Sequence, residues 1–149
     1  MRKTFTMGEV QVLLPVLESL LLRAQSSGTR AGELSGAIEE LRQQIFLSGG
    51  MHVDVGAVAR QRAEQGAALE ETKAIVAEIE EIGVHVHDLA EGLLDLPFRA
   101  ETGEVMLCWR LGEASVTHWH ASEEEPGERR PIAELFRDVH GKGDSVRLN

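Results

Sequence analysis

Cysteine is almost missing from this chain: Cys108 is the single one in 149 residues. That excludes an internal disulfide framework. Long apolar runs are missing too, and no window approaches the roughly 18 consecutive apolar residues that a membrane-spanning helix needs. The start has no apolar h-region, because polar Thr4, Thr6 and Glu9 follow Met1, Arg2 and Lys3. With no small-residue cleavage site either, a signal peptide is not expected. Positive charge is scarce: 15 Lys and Arg stand against 25 Asp and Glu, a net charge of −10. That sign opposes nucleic-acid backbones and anionic membrane surfaces. A phosphate-binding loop, a dinucleotide fingerprint, a zinc-protease helix and a Cys-x-x-Cys pair are all absent. These absences predict a cytoplasmic protein with neither a nucleic-acid nor a membrane partner. What is present is ordinary for a chain that builds a core: 42% apolar and 27% charged residues.

Up to Gly83 the pattern is helical. Thr6-x-x-Glu9 reads as a capping box, with Phe5 as the apolar residue before the cap. Val10, Leu13, Leu14, Leu17, Leu20, Leu21 and Ala24 then recur at helical spacing, with Pro15 predicting a kink among them. Ser26-Ser27-Gly28 is expected to end or loosen this helix. A second helix is predicted from Glu33 to Leu47, with Leu34, Ile38, Leu41 and Ile45 as its seam, broken by Ser48-Gly49-Gly50. A third runs from an Asp54 cap to Ile82 and closes at Gly83. Its seam is read as Val58, Leu69, Thr72, Val76 and Ile79, with Ile75 and Ile82 beside it. Such long apolar stripes predict an antiparallel helical hairpin, packed on itself or on a second chain.

After Gly83 the period becomes two. Val84 and Val86 alternate with His85 and His87, and Leu94, Leu96 and Phe98 alternate with Asp95, Pro97 and Arg99. Val105, Leu107, Trp109 and Leu111 alternate with Met106, Cys108 and Arg110, and a third strand is expected from Val116 to Ala121. This is the signature of a β-meander. A tight turn at Thr102-Gly103 would set Leu96 opposite Trp109, Phe98 opposite Leu107 and Asp95 opposite Arg110. The predicted class is therefore α+β, with long antiparallel helices over 1–82 and a small antiparallel sheet with a short C-terminal segment over 83–137. That segment, around Ile132 to Phe136, is read as helical or irregular. Residues 138–149, poor in apolar side chains, read as a flexible tail.

Three stretches carry a family resemblance: Asp88-Leu89-Ala90-Glu91-Gly92-Leu93-Leu94-Asp95-Leu96-Pro97, Leu107-Cys108-Trp109-Arg110-Leu111-Gly112-Glu113, and Trp119-His120. They resemble the segments D-L-x-x-G-L-v-D-F-P, L-C-W-k-L-G-E and W-H of an uncharacterised bacterial family, domain-of-unknown-function family 2203. Thr4-Phe5-Thr6, Leu13-Leu14-Pro15 and Ser48-Gly49-Gly50 are similar as well. The likeness runs from residue 3 to about 132. It departs at Glu125-Pro126 and Glu128, where family members commonly carry a Gly-Phe pair and a Gly, and at His87, where Lys is usual. The resemblance implies a bacterial protein with a helical N-terminal part and a β-rich end, and it brings no activity with it.

The histidines are the sharpest chemical feature. His85-x-His87 and His118-x-His120 each put two imidazoles on one strand face, so each pair can chelate an ion. Asp88, Asp95 or Cys108 can complete the set, and such ligands suit zinc or another divalent transition metal. Solvated histidines on a strand are the plainer alternative. The turn after Leu111 decides which face His118 and His120 take. A two- or four-residue turn puts them with Leu107 and Trp109, and a three-residue turn with Asp95, Cys108 and Arg110. Cys108 as a nucleophile lacks an evident base and orienter and reads better as a small apolar filler. Asp88 reads as a turn cap and Asp95 as the partner of Arg110.

The leading expectation is a non-enzymatic module that self-associates through its helices as a homo-oligomer, a dimer first of all, with no catalytic residues assigned. Glutamate at Leu17 or Ile79 would then abolish assembly. The alternative is a metal-binding protein, extending to a metal-dependent hydrolase, that uses His118 and His120 with Asp95 or Cys108. A third reading is a ligand or interface site built from Asp88, Arg110, Trp119 and Arg129.

Overall fold

The computed structural model describes residues 3–49, 54–101, 103–121 and 129–135. The expected tail at 138–149, the Glu125-Pro126 and Glu128 departures, Gly50, Thr102 and Phe136 lie outside them. Two long helices, α1 (Met7–Leu47) and α2 (Val55–Ile82), are followed by an antiparallel sheet. Its strands are β1 (His85–Asp88), β2 (Leu93–Ala100), β3 (Gly103–Arg110), β4 (His118–Ala121) and β5 (Arg130–Pro131), adjacent in chain order. The class is α+β, with five strands in the sheet among the described residues. Residues 132–135 form one helical turn. No helix among the described residues is long and apolar enough to cross a membrane.

α1 starts where its chemistry dictates. The Thr6 hydroxyl accepts from the Glu9 amide at 3.1 Å, and the Glu9 carboxylate accepts from the Thr6 amide at 3.0 Å. The break expected at Ser26-Ser27-Gly28 does not occur, and α1 passes through it unbroken. The reason lies in the partner helix. The Ser27 hydroxyl donates to the Ala24 carbonyl at 3.1 Å and shares a 2.7 Å hydrogen bond with the Thr72 hydroxyl of α2. Helix propensity disfavours Ser and Gly by less than about 1 kcal/mol each, and close packing outweighs that. Ala24, Ser27 and Ala31 on α1 and Ala68 on α2 are buried together there, and small side chains let the two backbones approach. Leu69 was expected in this seam but is exposed, because Ala68 takes the inward position. The Arg30–Glu64 ion pair between the helices, at 3.1 Å, is more than half exposed at both ends. Such a pair contributes under about 1 kcal/mol, so packing holds the hairpin. α2 is capped by Asp54, whose carboxylate accepts from the Ala57 amide at 3.0 Å, and ends at Gly83 in the left-handed region.

The sheet lies across the open end of the hairpin. Val10, Leu14, Leu17, Leu21 and Ala24 of α1 and Ile75 and Ile79 of α2 share one core with Leu94, Leu96, Leu107 and Trp109 of the sheet. The apolar stripe that pointed to a second chain is thus covered at Leu17 and Ile79 by this chain's own sheet. β1 pairs only with the first part of β2. The exposed edge beyond it is met by Phe5, whose amide donates to the Pro97 carbonyl at 2.8 Å and which bridges to Phe98. The N-terminal segment therefore closes an edge that would otherwise offer unpaired backbone groups.

Residues 89–92 connect β1 to β2 and are pinned from both sides. The Gln25 amide of α1 donates to the carbonyls of Leu89 and Ala90, and the Gly92 carbonyl accepts from the Leu111 amide at 2.9 Å. Gly92 has φ of 70°, and a Cβ there would meet the Leu111 Cβ at 2.7 Å. Both observations require glycine.

The β2–β3 register differs from the expected one. Ala100 pairs with Gly103. Leu96 therefore lies opposite Leu107, Phe98 opposite Val105 and Asp95 opposite Cys108. The slip is two residues. Because side chains alternate with period two, every face assignment survives and every partner changes.

A candidate metal centre on the outer face of the sheet

Directly opposed residues of an antiparallel pair share a face. His85 lies opposite Asp95, Asp95 opposite Cys108, and Cys108 opposite His118, so one row crosses four strands. Met106 faces His120 in the next row. This is the face away from the helices. The connection over residues 111–117 therefore has the parity that joins His118 and His120 to Asp95 and Cys108, and strand β4 begins at His118 rather than Val116.

The side chains of Asp95, Cys108 and His120 converge. Their ligand atoms all lie within 4.8 Å of one another, and all three residues are buried. His120 Nε2 stands 3.2 Å from Asp95 Oδ1, reaching diagonally across β3. Cys108 lies on β3 between the two strands, with its sulfur within 4.8 Å of both ligand atoms. The other ring nitrogen, Nδ1, is 2.7 Å from the Ala121 carbonyl. A carbonyl only accepts, so Nδ1 carries the proton and donates. That leaves Nε2 directed at a carboxylate oxygen. A ring nitrogen and a carboxylate oxygen at that distance are held by a positive charge between them, either a shared proton or a metal ion.

Burial pushes the Cys108 thiol from its ordinary value of 9.0 up to about 12. The charge of Asp95 and the hydrogen bond given to it push the same way, and Arg129 pulls against them. An attacking cysteine needs the opposite shift. The folded chain keeps this proton at a pH where the unfolded chain has lost it. With chelator present, the contribution is complete below pH 9 and is lost as the pH rises from about 9 towards 12. Urea melts at about pH 7 and about pH 10.5 should therefore show a larger loss of stability for the wild type than for Cys108→Ser.

A second group shares Asp95. The ligand atoms of His85, His87 and Asp95 also lie within 4.8 Å of one another, and both histidines are exposed. His87 Nδ1 is 4.0 Å from Asp95 Oδ2. His118 is not in either group. The Thr117 hydroxyl donates to Glu113 Oε2 at 2.8 Å and accepts from His118 Nδ1 at 2.8 Å, which ties this ring to its own loop.

Of the remaining expected residues, Asp88 and Arg110 both meet Glu91. Asp88 caps the turn, its Oδ1 accepting from the Glu91 amide at 3.0 Å. Arg110 pairs with Glu91 at 3.0 Å and not with Asp95. Trp119 lies opposite Leu107 on the helix-facing side and packs on the core, with the Arg130 guanidinium 4.9 Å from its ring centroid. The positive charge of Arg129 favours the ionised form of Cys108. One functional group escaped sequence reasoning altogether: the Ala121 carbonyl that orients His120. A backbone acceptor leaves no residue-type signal.

Fold and site define an α+β protein whose sheet carries a buried Asp-Cys-His cluster on the face opposite its helical hairpin. Residues 3–132 match the family model described as "Uncharacterized conserved protein (DUF2203)", and the chain belongs to that family. Comparison with curated proteins and with solved structures found no match.

Proposed function

We propose that this protein binds a divalent transition metal, zinc by preference, through Asp95, Cys108 and His120. One observation carries the reading: His120 gives its Nδ1 proton to the Ala121 carbonyl at 2.7 Å and turns Nε2 towards Asp95 and Cys108. A zinc-bound imidazole is oriented in that way, with its second nitrogen on a backbone carbonyl or carboxylate. Donor type agrees, since nitrogen, thiolate and carboxylate together are a zinc set. Spacing agrees as well. Tetrahedral bonds of about 2.0–2.3 Å hold ligand atoms roughly 3.3–3.8 Å apart, and the three atoms here need to close only modestly from within 4.8 Å. The fourth position is left for water or another ligand.

The test is zinc content after gel filtration, with cobalt(II) as a spectroscopic substitute. Wild type should retain zinc, and its cobalt form should show a thiolate-to-metal charge-transfer band. His120→Ala should lose the ion with its far-ultraviolet circular dichroism unchanged. Cys108→Ser should lose the band. Wild type that keeps no zinc, or a His120→Ala variant that keeps all of it, refutes the assignment.

A second reading, self-association through the helices, draws support from apolar side chains left in solvent. Phe46, Leu47 and Val55 at the hairpin tip and Val12 and Val16 on α1 are exposed. Surface of this kind marks interaction sites when it is contiguous.

A further inference from the structure

The geometry points to a second divalent cation, bound by His85, His87 and Asp95, so that the Asp95 carboxylate bridges two ions. The bridge rests on the reading that Asp95, Cys108 and His120 hold the inner ion, whereas the outer ligands stand by themselves. The two oxygens of Asp95 face different groups: Oδ1 is 3.2 Å from His120, and Oδ2 is 4.0 Å from His87. The sheet register explains why. Asp95 lies opposite His85 on one side and Cys108 on the other, so one buried carboxylate sits between a histidine pair and a Cys–His pair. His85 and His87 stand side by side on β1, ring centroids 6.5 Å apart and edge to face, with ligand atoms converging on Asp95. A carboxylate that gives one oxygen to each of two metals is the usual bridge in centres whose ions lie about 3.5–4 Å apart.

The two halves differ in exposure, and that divides their roles. The inner ligands are all buried, while both outer histidines reach solvent. The inner ion is therefore slow to exchange. The outer ion has three protein ligands and keeps positions open to water or to an anionic oxygen donor such as a carboxylate or phosphate, the arrangement of a reactive metal rather than a structural one. The outer ion should be the first removed by a chelator.

Zinc stoichiometry tests this in the full chain, read by native mass spectrometry and elemental analysis at saturating zinc. Wild type should carry two ions per chain. The double variant His85→Gln with His87→Gln, both at exposed positions, should carry one. Cys108→Ser should lose the inner ion and keep the outer one. A dicobalt(II) form should show spin coupling by electron paramagnetic resonance. A wild type with one ion, lost in Cys108→Ser and kept in the histidine double variant, overturns the second site and leaves the inner one standing. A single ion lost only in the double variant overturns the bridged pair together with the inner assignment. Two ions without spin coupling overturn the bridge.

Discussion

Asparagine at position 95 should empty both halves of the centre. The substitution keeps the side-chain shape and removes the charge that each half needs. Loss of an outer-shell partner costs about 10–100-fold in metal affinity. Loss of a ligand shared by two ions should cost more than about a hundredfold in zinc dissociation constant, measured by competition with a chromophoric chelator. The contrary outcome is as informative. If His120 and Asp95 form only a buried ion pair, Asp95→Asn leaves zinc binding unaltered and lowers stability, by about 3–5 kcal/mol for the loss of one partner of such a pair. Zinc titration and a thermal melt on the same sample separate the two.

Glutamate at Leu17 should unfold the chain rather than dissociate an oligomer. Leu17 is completely buried, as is Ile79 on the facing helix. Truncating such a leucine costs about 2–5 kcal/mol, and an unpaired carboxylate in the core adds a desolvation penalty of several more. The total reaches the whole stability of an ordinary domain, about 5–15 kcal/mol. Circular dichroism should show loss of helix at 25 °C by the usual midpoint criterion, where ΔG falls near zero. A folded Leu17→Glu protein would contradict this core. Val16, half exposed on the same helix, is the position at which glutamate probes self-association without that cost: the fold should persist, and sedimentation reports the assembly state.

Much of the architecture is legible in residues. The Thr6–Glu9 box, the Asp54 cap and Gly83 locate three helix ends, because each satisfies backbone groups next to it in the chain. The break expected at Ser26-Ser27-Gly28 shows the limit of local reasoning. Ser27 and Gly28 disfavour a helix weakly by themselves, and the Thr72 hydroxyl that stabilises them lies 45 residues away. Leu69 and Ala68 make the same point. Hydrophobicity favours the leucine as the inward residue, but the close approach of two helices favours the alanine.

The candidate centre divides in the same way. Which residues share a face was determined by the sequence alone, because strand alternation is local: Asp95 with Pro97, Cys108 with Met106, His118 with His120. Which of them meet was decided by the tertiary structure. A two-residue slip in the β2–β3 pairing preserves every face yet exchanges Arg110 for Cys108 as the neighbour of Asp95. The path of residues 111–117 sets the parity that brings His120 to that neighbour, and the Ala121 carbonyl then turns its ring. Faces follow from the period of a single strand, but partners follow from register, and register depends on how turns and packing align strands whose own residues permit more than one alignment.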